Sequence, residues 1–141
     1  MRILALDYGS KRVGVAISDP SWLIASPLEF IPAEPYKRFL ARLRELIAER
    51  EVSLIVVGMP RNMDGSYGPA AERVREFVKR LKEELAPPIK TWDERLTTVQ
   101  AHRALIQADM SRKKRKRHVD KTAAAILLQS YLDSLAFVPP E

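Results

Sequence analysis

The sequence predicts an α/β fold, a mixed β-sheet with helices on its faces, over a single domain spanning residues 1–141. Two observations carry that prediction. Three short apolar segments separated by turn residues open the chain, the pattern of an antiparallel meander. After them, amphipathic helical stretches alternate with apolar strands, so the order reads βββαβαβαα, and such alternation builds parallel strands with helices packed on the sheet.

Each element follows from its residues. Ile3 to Leu6 is an apolar run that stops at the turn composition Asp7-Tyr8-Gly9-Ser10. Val13 to Ile17 is a second strand, ended by Ser18-Asp19-Pro20. Leu23 to Phe30 reads as a third, with Pro27 requiring an edge position or a bulge because proline cannot donate to a ladder. From Tyr36 to Arg50, Phe39, Leu40, Leu43, Leu46 and Ile47 recur at spacings of three and four, the signature of an amphipathic helix. Leu54 to Val57 is continuously apolar, as a strand buried on both faces is. Gly58 to Gly68 reads as a polar loop. Pro69 then opens a second helix through about Leu85, with Val74, Phe77, Val78 and Leu81 on one face. Ile89 to Trp92 is a last strand, Thr97 to Ala108 a third helix, and Val119 to about Leu135 a fourth.

Composition narrows the function. Hydrophobic residues make up 46% of the chain and charged residues 30%, which fits a globular protein and excludes a disordered one. The longest apolar runs, Leu54 to Val57 and Ala123 to Leu128, fall far short of the roughly 20 residues a membrane span needs. Met1-Arg2-Ile3 leads straight into a strand with no cleavable signal pattern, so a cytoplasmic location is expected. With no cysteine, disulfides, thiolate zinc sites and cysteine nucleophiles are ruled out. His102 and His118 have no second ligand at metal-binding spacing.

Three acidic positions stand out by where they fall. Asp7 ends the first strand, Asp93-Glu94 ends the last, and Asp120 begins the fourth helix, on the side continued by Ala124, Leu127, Leu128 and Tyr131. If these elements pack together, three carboxylates meet at one end of the sheet. Carboxylates that close repel, and a cation or shared protons must compensate. All-oxygen ligands select Mg²⁺ or Mn²⁺, and a pair of such ions can activate water and stabilise the leaving oxygen of a phosphodiester. Each acid also has a purely structural reading: Asp7 as a turn residue, Glu94 as a surface partner of Arg95, Asp120 as a helix N-cap.

The net charge of +6 is unevenly placed. Arg112-Lys113-Lys114-Arg115-Lys116-Arg117 is an unbroken run of cations between the last two helices. Such a run repels itself unless a polyanion neutralises it, and nucleic acid is the expected polyanion, since no Trp- or Phe-rich amphipathic face points to a membrane. Gly9-Ser10-Lys11-Arg12-Val13-Gly14 lacks the Gly-Lys-Ser/Thr ending of a phosphate loop and precedes a strand, so a hairpin with basic residues at its turn fits better.

The stretch from Asp7-Tyr8-Gly9-Ser10-Lys11-Arg12 to Ser18-Asp19 resembles the opening motif of the YqgF family, whose members are described as Holliday junction resolvases or pre-16S rRNA nucleases. Val56-Val57-Gly58-Met59-Pro60 with Asp64-Gly65-Ser66, then Asp93-Glu94-Arg95-Leu96-Thr97-Thr98, and finally Val119-Asp120-Lys121-Thr122 through Gln129 continue the match in the family's order. The resemblance implies a ribonuclease H-like fold: a five-stranded mixed sheet, its second strand antiparallel, flanked by helices. It implies that Asp7, Glu94 and Asp120 are the metal-binding acids, and that Lys11, Arg12 and Arg61 contact phosphates beside the basic run. Alternation along a strand sends only one of Asp93 and Glu94 inward, and the family motif favours Glu94.

The expected activity is therefore a Mg²⁺- or Mn²⁺-dependent endonuclease acting on structured RNA or branched DNA. The alternatives are a noncatalytic nucleic-acid-binding module of the same fold and a small ATP-binding protein using the Asp7-Tyr8-Gly9 turn. A junction resolvase making two symmetric cuts would be a homodimer, whereas RNA trimming needs only a monomer.

Overall fold

The computed structural model describes residues 1–60, 66–93 and 122–136. In chain order these form β1 (Arg2–Asp7), β2 (Arg12–Ser18), β3 (Ala25–Pro32), α1 (Tyr36–Glu49), β4 (Val52–Met59), α2 (Pro69–Glu84), β5 (Ile89–Asp93) and α3 (Ala123–Ala136). The third helix expected over Thr97 to Ala108 lies outside the described residues.

The five strands make one sheet in the order β3-β2-β1-β4-β5. β2 is antiparallel to both β1 and β3, while β1, β4 and β5 run parallel. The mixed sheet with an antiparallel second strand is thus the one the motifs imply.

Strand alternation divides the core in two. Leu4, Leu6, Val13, Val15, Ile55 and Val57 join Phe39, Leu43, Phe77 and Leu81 under α1 and α2. Ile3, Ala5, Ala16 and Val56 join Ala124, Leu127, Leu128 and Leu132 under α3. Burial of these faces holds the helices, because a helix of fourteen residues is marginal alone and each large apolar side chain buried contributes about 1.5–3 kcal/mol. Small residues on the α3 side of the sheet let that helix lie close to the strands.

Several boundaries differ from the sequence reading, in β3, β4 and α3 among others. β3 begins at Ala25, because the amides of Leu23 and Ile24 donate to Asp19 Oδ1 at 2.7 and 3.0 Å and are spent in the turn. It continues to Pro32, which pairs with Arg12. Pro27 sits on this edge strand beside a register shift, so both outcomes expected of it occur together. Gly58 and Met59, read as loop, extend β4 by pairing with Trp92 and Asp93 of β5. α3 begins at Ala123, and the Thr122 Oγ1 accepts from the Ala125 amide at 3.2 Å; Asp120 lies outside the described residues.

Candidate nuclease site at the strand ends

Asp7 is the last residue of β1, half-buried, at the carboxyl end of the central strand. Its face is set by alternation: Leu4 and Leu6 point to α1 and α2, whereas Ile3 and Ala5 point to α3, so Asp7 points to the α3 side. Its register partner on β2 is Gly14. A Cβ built on Gly14 would stand 3.6 Å from the Ala124 Cβ, in the first turn of α3. The first turn of α3 therefore lies over Gly14, the residue paired with Asp7.

The turn that presents Asp7 is tight. A Cβ on Gly9 would lie 2.5 Å from the Arg12 carbonyl oxygen, closer than atoms tolerate, so only glycine permits this hairpin. The hairpin is held further along by the Ala33 amide donating to the Lys11 carbonyl at 2.9 Å. Lys11 and Arg12 are both exposed. Arg12 is partly engaged, its guanidinium 4.2 Å from the centre of the Phe30 ring.

At the other parallel strand, Asp93 is register partner to Met59, and Met59 belongs to the α1/α2 core. Trp92, one residue earlier, packs against the α3 core and meets Tyr131 edge-on at 5.1 Å. Asp93 thus ends β5 on the face opposite Asp7. Glu94, Asp120, Arg61 and the basic run Arg112–Arg117 lie outside the described residues, and among the described residues no three acidic or histidine side chains converge.

Two motif stretches prove to hold the scaffold. Ser18 Oγ accepts from the Ile3 amide at 2.8 Å inside the core, and Asp19 closes the β2–β3 turn, its carboxyl held below the ordinary range first by the Ile24 amide and then by that of Leu23. Gln129 of α3 accepts from the Ala25 amide and donates to the Leu23 carbonyl, both at 2.9 Å, tying the same turn to the helix. Sequence reasoning also passed over Phe30, which is a half-exposed aromatic ring on the α3 side of β3.

A cavity of about 310 Å³ lies between α1 and α2, walled by Tyr8, Tyr36, Phe39 and Phe77. Tyr8 stacks on Phe77 with ring centres 4.5 Å apart, on the sheet face opposite Asp7. This aromatic hollow is therefore separated from the candidate carboxylate by the sheet itself.

Comparison with known proteins bears on the family and the fold. Residues 1–134 match the model of a family described as "RuvX: Holliday junction resolvase". Curated relatives include a protein of Desulforamulus reducens, 52% identical over 95% of this chain and 98% of its own length, and one of Halothermothrix orenii, 53% identical over 94% and 95%. Both carry the provisional name pre-16S rRNA nuclease. Among solved structures, RuvC of T. thermophilus in complex with a Holliday junction substrate covers 96% of each chain at 16% identity, with a TM-score of 0.55. The Fowlpox virus resolvase, in complex with substrate Holliday junction DNA, matches at 15% identity and a TM-score of 0.53, over 97% of this chain and 100% of its own. These structural likenesses show that the chain shares the fold of both proteins.

Proposed function

Because this chain belongs to the RuvX family, the one to which the YqgF-like motifs point, we propose that it is a metal-dependent nuclease that hydrolyses phosphodiesters in structured nucleic acid. The observation that carries the reading is the position of Asp7. It stands at the carboxyl end of the central strand, directly across from the glycine on which the first turn of α3 rests. Ligands of open α/β sheets bind at that end of the strands.

The donor set fits a hard divalent cation. Asp7, Glu94 and Asp120 offer only oxygen, and the chain has no cysteine. Trp92 lies on the face of Asp7 and Asp93 on the other, so strand alternation supports Glu94 as the acid from β5. Asp120 lies two residues before Thr122, and the first turn of α3 lies over Gly14, the residue paired with Asp7, which supports Asp120 as the third. When bound, Mg²⁺ or Mn²⁺ supplies activation of water and neutralisation of charge on the phosphate. The three carboxylates hold that charge in place. Lys11, Arg12 and Arg61 orient the phosphate, and the cations of Arg112–Arg117 draw in the polyanion.

The cytoplasm is the expected place of action; no described helix is long and apolar enough to cross a membrane. The test is to incubate the protein with a four-way DNA junction and with a 16S rRNA precursor in Mg²⁺ or Mn²⁺ and to map the cuts. Cleavage of either substrate that Asp7→Asn abolishes supports the nuclease. Tight binding of both with no cleavage supports a noncatalytic binding module instead.

A further inference from the structure

Phe30 is 49% exposed on a sheet face that α3 otherwise covers, and it belongs to neither core cluster. Its place follows from register. Asp7 pairs with Gly14, and Gly14 pairs with Phe30, so the three residues form one row across β1, β2 and β3 on the same face. Gly14 puts no side chain between the outer two. A Cβ at that glycine would stand 3.3 Å from Phe30 Cε1 and 3.6 Å from Cδ1, so the ring leans along the row toward Asp7. Two strand spacings separate the ends of the row, about 9–10 Å. That is about the length of three stacked nucleotides at 3.4 Å each.

The charge around the ring suits a polynucleotide. The Arg12 guanidinium lies 4.2 Å from its centre, and Lys11, the preceding residue in the chain, is exposed. An aromatic face offers stacking to any base, and a guanidinium offers either a second stacking plane or a cation for the adjoining phosphate.

We propose that Phe30 and Arg12 form a stacking subsite for an unpaired nucleobase near the phosphate held at Asp7. The position of the subsite relative to the scissile bond rests on the nuclease reading of Asp7; its capacity to bind a base does not. A base can reach the ring only if it is unstacked from its own helix. The subsite therefore selects nucleic acid with unpaired nucleotides near the cut and disfavours continuous duplex.

The test is direct binding of fluorescein-labelled oligo(dT) and oligo(U), in EDTA so that no cleavage intervenes, to wild type, Phe30→Leu and Phe30→Trp. Leu keeps the apolar bulk and removes the π face; Trp enlarges it. Phe30→Leu should lose about five- to a hundredfold in affinity, the range of one base–aromatic stack. Phe30→Trp should bind at least as tightly as wild type, with fluorescence quenched on adding oligonucleotide. Circular dichroism should be unchanged, because the ring is outside the core. Equal affinity of Phe30→Leu and wild type, a Trp variant as weak as Leu, or no binding by wild type overturns the subsite. In parallel, cleavage by Asp7→Asn tests the catalytic reading alone, so loss of one conclusion leaves the other standing.

Discussion

Asp7 and Gly14 face each other across the β1–β2 ladder, and a Cβ at Gly14 would stand 3.6 Å from the Ala124 Cβ in the first turn of α3. A side chain there would enter space bounded by Ala124 and the Phe30 ring. Both glycines of the opening motif are thus accounted for by close approach, but with different neighbours, and that difference can be tested.

Gly9→Ala should be much more harmful than Gly14→Ala. At position 9 the new Cβ meets a backbone oxygen at 2.5 Å, and the hairpin presenting Asp7 must distort. At position 14 it meets a half-exposed ring at 3.3 Å, which can give way. Denaturant unfolding should show Gly9→Ala losing about 1–3 kcal/mol and Gly14→Ala less. Equal losses would contradict the geometry.

Asp7→Asn and Asp120→Asn should each abolish cleavage while leaving circular dichroism and nucleic-acid binding intact. Removing one of several repelling carboxylates should leave the melting temperature in metal-free buffer unchanged or raised. Wild-type cleavage that persists in excess chelator would refute the metal mechanism.

The run Arg112–Arg117 should act through phosphates. Changing Lys113, Lys114, Arg115 and Lys116 to Gln should weaken binding alike across sequences and make the slope of log K against log salt shallower by about one unit per lost contact, up to about four. Cleavage at saturating substrate should fall much less. Titrations at several salt concentrations decide this, and an unchanged slope and affinity would show that the run stays in solvent.

Glu29 on β3 and Arg42 on α1 form a two-point ion pair at 2.7 and 2.9 Å that ties the edge strand to the helix. The Arg42 hydrogen bonds hold the Glu29 carboxyl below its ordinary value of 4.5. A depressed folded pKa stabilises the protein above the unfolded value, and the contribution is lost as pH falls through the folded value. Wild type should therefore exceed Glu29→Gln in stability at neutral pH, with the difference closing below about pH 4.5. Urea midpoints across that range check it; a gap that widens in acid would show the sign to be wrong.

Much of this was legible in the residues. The three-four spacing of Phe39, Leu40, Leu43 and Leu46 specifies α1, and the unbroken run Leu54 to Val57 specifies a central strand, because both patterns are local and periodic. The start of β3 was not legible. Leu23 and Ile24 are apolar and strand-like, yet Asp19 takes their amides and Gln129, more than a hundred residues away, takes the Leu23 carbonyl. Nothing in a local window reveals such a partner.

The candidate site divides the same way. The sequence by itself determined that acids end β1 and β5 and precede α3, that only one of Asp93 and Glu94 can face inward, and that a dense cationic run comes shortly before α3 in the chain, since all of these depend on order and alternation. Tertiary structure alone decided which face α3 covers, and with it that Asp7 lies on that face and Asp93 on the other. It also decided that Gly14 is where α3 comes down, and that Phe30, indistinguishable in sequence from a core aromatic, is left half-exposed in the row of Asp7. The physical reason is that alternation assigns residues to two faces of a strand, but only packing across distant segments says which face is buried beneath a helix and how far that cover extends.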